Sequence, residues 1–116
     1  IEMAIENEIK KDFIRHGEAV GLGILCEIYY ANKGKNNFYF VSKKLFDNFK
    51  LPTSLNVNDL NLNKVKLIND IYKNIFLDKK KISQYPRYIS LKKQGKPKID
   101  EIKDFDFIND TLLKVL

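Results

Sequence analysis

Between Gly17 and about Lys33 the apolar residues Val20, Leu22, Ile24, Leu25, Ile28 and Tyr29 nearly encircle a helix. A helix that is apolar on most sides has no face to offer water, so other elements must bury it. In a chain of 116 residues that requirement leaves room for one domain. The hydrophobic share of 44% and charged share of 31% are compatible with a packed core and argue against wholesale disorder. Gly17, Gly21 and Gly23 lower helix propensity by up to about 1 kcal/mol each relative to Ala. Their use would be close approach of a neighbouring backbone. Gly34, just past the last periodic residue, is placed as a C-terminal cap.

The flanking segments read as further helices. Residues 1–11 put Ile1, Ala4, Ile5 and Ile9 on one face, and residues 12–15 break the pattern. A helix over 37–50 carries the stripe Phe38, Val41, Leu45, Phe46 and Phe49. Leu51-Pro52-Thr53 ends it, because proline disfavours helix in the residue before it. Asn58, Asp59 and Asn61 offer caps for a helix reaching about Phe76, with Leu62, Val65, Ile68, Ile71, Tyr72 and Ile75 on its stripe. The period then changes. Residues 87–91 and 98–102 flank a Gly95-containing loop, the pattern of a short β-hairpin. Asp106 is placed to cap a last helix over 107–116. The expected fold is mostly α, with a short hairpin near the C-terminal end. Tyr29, Tyr30, Phe38, Phe40, Phe46 and Phe49 sit at helical spacing and read as core rather than as an aromatic ligand box. Cys26, on the buried helix, reads as an inert small hydrophobe.

Several classes are excluded. A single Cys permits no internal disulfide framework and no Cys-based zinc finger. No apolar run approaches the roughly 20 residues that span a bilayer, and the first residues lack the basic region of a signal peptide. The expected compartment is the cytoplasm. A start at Ile1 reads as a piece of something longer.

Charge is uneven. From Lys73 to Lys98 there are nine basic residues against one acid, Asp78, so this window is +8 in a chain of +6 and the remainder sums to −2. Such a field attracts phosphates, carboxylates or nucleic acid. Tyr85 and Tyr88 would be the stacking residues of a nucleic-acid-binding module. The plainer reading of most of these lysines is a solvated surface.

His16 is the only histidine. A metal site needs three or four ligands, and Cys26, ten residues along a buried helix, would not converge with it. If His16 binds metal, most co-ligands lie outside this chain. The run His16-Gly17-Glu18-Ala19-Val20-Gly21-Leu22-Gly23 resembles the HGEAV(x)xG segment of the 3-dehydroquinate synthase family and its sugar-phosphate cyclase relatives. The resemblance extends over essentially the whole chain. Leu51-Pro52-Thr53 is similar to the family's Leu-Pro-Thr turn, Asp78-Lys79-Lys80 to its Asp-Lys-Lys motif, and residues 86–96 to its hairpin of the type KLRFVLLKGIGK.

The resemblance implies a helical C-terminal domain that packs on a Rossmann-like NAD-binding domain absent from this chain, with the active site between them. It implies that His16 is one ligand of a catalytic divalent metal, usually zinc, the other ligands being a Glu and a His on missing segments. The family's reaction cyclises a seven-carbon sugar-acid phosphate with loss of phosphate, in the shikimate pathway, and its members are usually homodimers. Lys79, Lys80 and, more remotely, Arg15 would meet the substrate's phosphate or carboxylate, since an ammonium accepts phosphate from several directions. Glu18 fits a role at the helix N-terminus or behind the ligand better than on the metal.

One departure stands out. The family's upstream segment GHTxxHAIE carries a histidine thirteen positions ahead of the HGEAV histidine. Here that position is Met3, followed by a matching Ala4-Ile5-Glu6. Family members use that histidine in proton transfer, which a thioether cannot perform. A diverged cyclase, or a helical relative that has lost catalysis, therefore stands beside the leading reading. No glycine fingerprint for NAD occurs in these residues, so the chain alone is expected to be inactive.

Overall fold

The protein is described by a computed structural model over residues 1–9, 14–33, 35, 37–55, 63–77 and 85–116. Its elements are α1 (Glu2–Glu8), α2 (His16–Ala31), α3 (Asn37–Asn48), α4 (Lys64–Leu77), β1 (Arg87–Leu91), β2 (Pro97–Glu101) and α5 (Phe105–Val115). The expected class is found: a mostly helical molecule with one antiparallel hairpin near its C-terminal end.

α2 is the central element. It packs against α1, α3, α5 and β1, and Ala19, Leu22, Leu25 and Cys26, spread around it, have no exposed surface. Each fully buried Leu or Ile contributes about 1.5–3 kcal/mol relative to exposure. α1 and α5 also pack on α4, joining Ile5, Ile68, Ile71, Ile108 and Leu112 to the same core.

Glycine decides one crossing. A Cβ on Gly23 would lie 3.1 Å from both the backbone nitrogen and the Cβ of Glu2, so any larger residue would require the start of α1 to give by a few tenths of an ångström. A Cβ on Gly21 would meet the Phe46 ring at an ordinary 3.6 Å. With Glu2 against Gly23 and Glu6 reaching His16, α1 runs antiparallel to α2.

Helix ends depart from the sequence reading where distant groups intervene. Gly34 lies outside the described residues. The left-handed residue after α2 is Lys33, with φ of 54°. There its ammonium lies 5.0 Å from the Tyr30 ring centroid and 3.9 Å from an Asp104 carboxylate oxygen. Lys50 takes the same conformation after α3, and the Leu51 N–H closes back on the Phe46 carbonyl at 2.9 Å. The caps expected at Asn58, Asp59 and Asn61 also fall outside the described residues. Asn63 performs the task, its Oδ1 accepting the Lys66 N–H at 3.1 Å. α5 starts two residues before the expected position. Asp104, not Asp106, is its cap and accepts the Phe107 N–H, because the Tyr30 hydroxyl accepts the Lys103 and Asp104 N–H groups and fixes the entry.

Two apolar stripes are corrected. α3 turns Tyr39 and Ser42 inward, with Phe38 and Phe46 half-buried, and leaves Val41, Leu45 and Phe49 exposed. Phe40 is exposed too, so it and Phe49 are not core. Among the described residues α3 packs chiefly against α2, and one main neighbour covers one face. On α4, Val65 is exposed and Leu67 takes its expected place beside Ile68, Ile71 and Ile75.

The hairpin pairs Arg87 with Glu101 through Leu91 with Pro97, and Gly95, at φ of 79°, makes its loop. Tyr88 and Ser90 point inward and Ile89 outward. The free edge of β1 is covered by α2: the Glu27 carboxylate accepts the Ile89 N–H, and the Asn32 side-chain amide donates to the Leu91 carbonyl at 3.4 Å. β2 is an edge strand. Pro97 has no N–H to offer, and the Glu101 N–H is taken by Asp100 at 2.8 Å, which blunts that edge against pairing with another chain.

Candidate functional site

His16 opens α2. Arg15, its N-cap, is extended, with φ of −85° and ψ of 155°, and the Glu18 carboxylate reaches back to accept the Arg15 N–H at 3.1 Å. This is half of a capping box, and it gives Glu18 the helix-terminus role its position suits. The capped end holds the His16 ring clear of the core, with 76% of its side chain exposed.

The ring is nevertheless tethered. Its Nδ1 lies 2.5 Å from Glu6 Oε1 on α1. Of the two neutral tautomers, a carboxylate at Nδ1 favours the one that carries its proton there and leaves the Nε2 lone pair for another partner. That is the arrangement in which an imidazole serves as a metal ligand. His16, Glu6, Arg15 and Asn7 line a cavity of about 470 Å³ floored by Ile9 and Ile14. Arg15 is exposed at its rim, so the cavity brings together two of the residues singled out from the sequence.

Met3 is 58% exposed. It does not face His16 directly but lines a neighbouring cavity of about 530 Å³, which Asn7 joins to the first. Met3, Glu6 and Asn7 share one face of α1 by their i, i+3, i+4 spacing. Lys79 and Lys80, with Asp78, lie outside the described residues. Among the described residues no group of three His, Cys, Asp or Glu side chains converges to hold a metal. The chemistry of the donor set therefore fits one position of a divalent-metal site, His16 Nε2, and no more.

Glu6 was not assigned a role from sequence, although its match to the family's Ala-Ile-Glu marked it. Asn7 and Asn74 carried no signal, and Arg87 stood out only as part of the basic window and the hairpin, because the cavity they line draws on three separated segments. Cys26 has the inertness expected of it: burial pushes its thiol up to about 12, far from thiolate reactivity. Tyr88 is buried and packs edge-on against Tyr30 with centroids 5.0 Å apart, so it is no platform for stacking a base. Tyr85 is half-buried against Phe105. Lys92, Lys93, Lys96 and Lys98, with Ser90 and Asp100, surround a concavity of about 240 Å³ at the hairpin loop, and no aromatic lines it among the described residues. No described helix is long and apolar enough to cross a membrane. No protein-family model, curated protein or solved structure matches the chain.

Proposed function

We propose that the chain is the helical C-terminal part of a 3-dehydroquinate synthase-like enzyme, a cytoplasmic protein in which His16 is one ligand of a divalent metal, zinc by preference. The observation that carries this reading is the His16 ring: exposed at a helix start, held at Nδ1 by Glu6, and beside a cavity with no partner at Nε2 among the described residues. The remaining metal ligands and the NAD-binding half would come from polypeptide that this chain does not contain.

In that setting the metal would polarise substrate oxygens and NAD would exchange a hydride. The chain's own residues would do the rest. Glu6 keeps the His16 ring in one orientation and one tautomer. Arg15, at the rim of the same cavity, offers a fork of donors to a carboxylate or phosphate of a seven-carbon sugar-acid phosphate. Lys79 and Lys80 keep their assignment to the same anionic groups on the strength of the Asp-Lys-Lys resemblance alone. The test is metal content. When the chain is joined to its NAD-binding half and loaded with zinc, His16→Ala is expected to lose the bound metal and turnover together. Full retention of zinc by that variant would remove the reading.

Met3 favours a second form of the reading, a cyclase relative with a different substrate or without catalysis. Its thioether stands where family members hold a proton-transferring imidazole, and a thioether moves no proton at neutral pH. If the chemistry is otherwise that of the family, Met3→His in the joined protein raises turnover. An unchanged rate would mean that the divergence lies in the substrate or elsewhere in the site. A homodimer is part of the same proposal, and a nucleic-acid partner has lost its stacking pair with the burial of Tyr88.

A further inference from the structure

The outer face of the hairpin carries an exposed aliphatic pair beneath a basic tip. β1 sends Tyr88 and Ser90 inward, so Arg87, Ile89 and Leu91 point outward, and the register sets Ile89 directly opposite Ile99 on that outer face. The Ile89 N–H is given to Glu27, away from β2. That makes Ile89 and Ile99 a non-hydrogen-bonded pair, the kind whose side chains lie closest. Ile89 is 45% exposed and Ile99 65% exposed, and Pro97 is exposed beside them. Cations rim the pair. From Arg87 to Ile99 there are five basic residues and no acid. Three of them, Lys92, Lys93 and Lys96, are exposed at the tip. A turn holds them there, closed by the Lys96 N–H on the Lys93 carbonyl at 3.3 Å with Gly95 at φ of 79°. Lys33, Lys66 and Lys103 each have a carboxylate within ion-pair distance, and among the described residues the three tip lysines have none. Glu101, the acid on the outer face, lies at the far end of the hairpin, 3.7 Å from the Lys103 ammonium.

We infer that this hairpin docks on the anionic face of a lipid bilayer. Ile89, Ile99 and Pro97 enter the boundary between headgroups and acyl chains, and Lys92, Lys93 and Lys96 meet the headgroups. A bilayer presents hydrocarbon and negative charge within roughly 10 Å of each other, which is the combination this face complements. Lysine stems can lie along the apolar layer while their ammonium groups stay in water. Other anionic partners fit less well. A nucleic acid would need rings to stack on, and the apolar side chains of this face are aliphatic. An acidic peptide adding a strand would need an open main-chain edge, and Pro97 and the bond from the Glu101 N–H to Asp100 blunt the edge of β2. The inference involves neither His16 nor the cavities beside it, so it stands or falls apart from the proposed function.

Co-sedimentation with vesicles tests it. At low salt the chain should bind phosphatidylcholine vesicles that contain about 30% phosphatidylserine, and should leave pure phosphatidylcholine vesicles in suspension. A lysine near an anionic surface contributes about fivefold in affinity, so Lys92→Gln, Lys93→Gln and Lys96→Gln combined should weaken binding by about a hundredfold. Ile99→Ser should weaken it by about tenfold through the lost apolar contact. Lys66→Gln removes the same charge from α4, where the ammonium is already paired with Asp70, and should change binding by less than about twofold. The lysine variant alters only exposed loop residues, so the test survives any loss of fold in Ile99→Ser. A reporter gives the contact its place. Gln94→Cys at the tip can be labelled alone, since Cys26 is buried, and an environment-sensitive dye there should shift to the blue on the anionic vesicles. No binding to those vesicles, or a dye that does not respond, would overturn the inference. So would a folded Ile99→Ser protein that binds as tightly as the parent, because charge alone would then suffice. A single-stranded oligonucleotide or polyglutamate held as tightly as the anionic vesicles would overturn it too.

Discussion

Glu27 offers a test of how α2 is joined to the hairpin. It is 8% exposed, and its carboxylate accepts the Ile89 N–H from β1. Burial raises its pKa from 4.5 to about 7. The charge of Glu2 adds to the rise, and the Ile89 N–H opposes it. The folded protein therefore keeps a proton on Glu27 that the unfolded chain has already released. Between about pH 4.5 and 7 the native state binds more protons than the unfolded state, so this residue's contribution to stability falls as pH rises through that window. It is fully present below the window and lost above it. At about 1.4 kcal/mol per pH unit the gap sets a ceiling of about 3 kcal/mol, and residual solvation lowers the working expectation to roughly 1–3 kcal/mol. Glu27→Gln retains an oxygen for the Ile89 N–H and cannot ionise. Urea unfolding of both proteins from pH 4.5 to 8.5 should show the variant gaining on the parent as pH rises, reaching roughly 1–3 kcal/mol at pH 8. Other acids titrate in the same range, so the difference between the two curves is the quantity to read. A difference that stays constant with pH would refute the reasoning.

The two inner glycines of α2 should respond in opposite directions. Gly21→Ala places a methyl at ordinary distance from Phe46 and should stabilise by up to about 1 kcal/mol through helix propensity. Gly23→Ala drives one against the Glu2 backbone and should leave the protein at least about 1 kcal/mol less stable than Gly21→Ala by chemical denaturation. Equal gains would mean that the α1–α2 approach is not tight. Tyr30→Phe removes the acceptor for the Lys103 and Asp104 N–H groups. It should cost about 1–3 kcal/mol and speed amide exchange at those two positions, and unchanged exchange there would contradict the assigned role.

How much of this was legible beforehand follows from the range of each determining contact. α2 could be read because an all-apolar helix permits only burial. The hairpin could be read because Gly95 and the alternation on both sides are local signals. The start of α5 could not, since Tyr30, more than seventy residues away, selects Asp104 over Asp106 as the cap. On α3 the apolar residues populate more than one face, and periodicity alone does not say which face α2 covers. The candidate site divides in the same way. His16 stood out as the only imidazole in a recognisable run. Its tether to Glu6 spans ten residues and a break between helices, where no helical spacing applies. Arg87 reaches the Met3 cavity only through the packing of the hairpin base beside α1 and α4.

In the proposed function one imidazole nitrogen of His16 is occupied by the Glu6 carboxylate and the other is left for a metal. A long-range ¹H–¹⁵N spectrum reads both nitrogens of the sole histidine at once. At pH 8, where an ordinary imidazole is neutral, the proton should reside on Nδ1, and millimolar zinc should displace the Nε2 resonance alone. A proton found on Nε2, or two nitrogens indifferent to zinc, would contradict it.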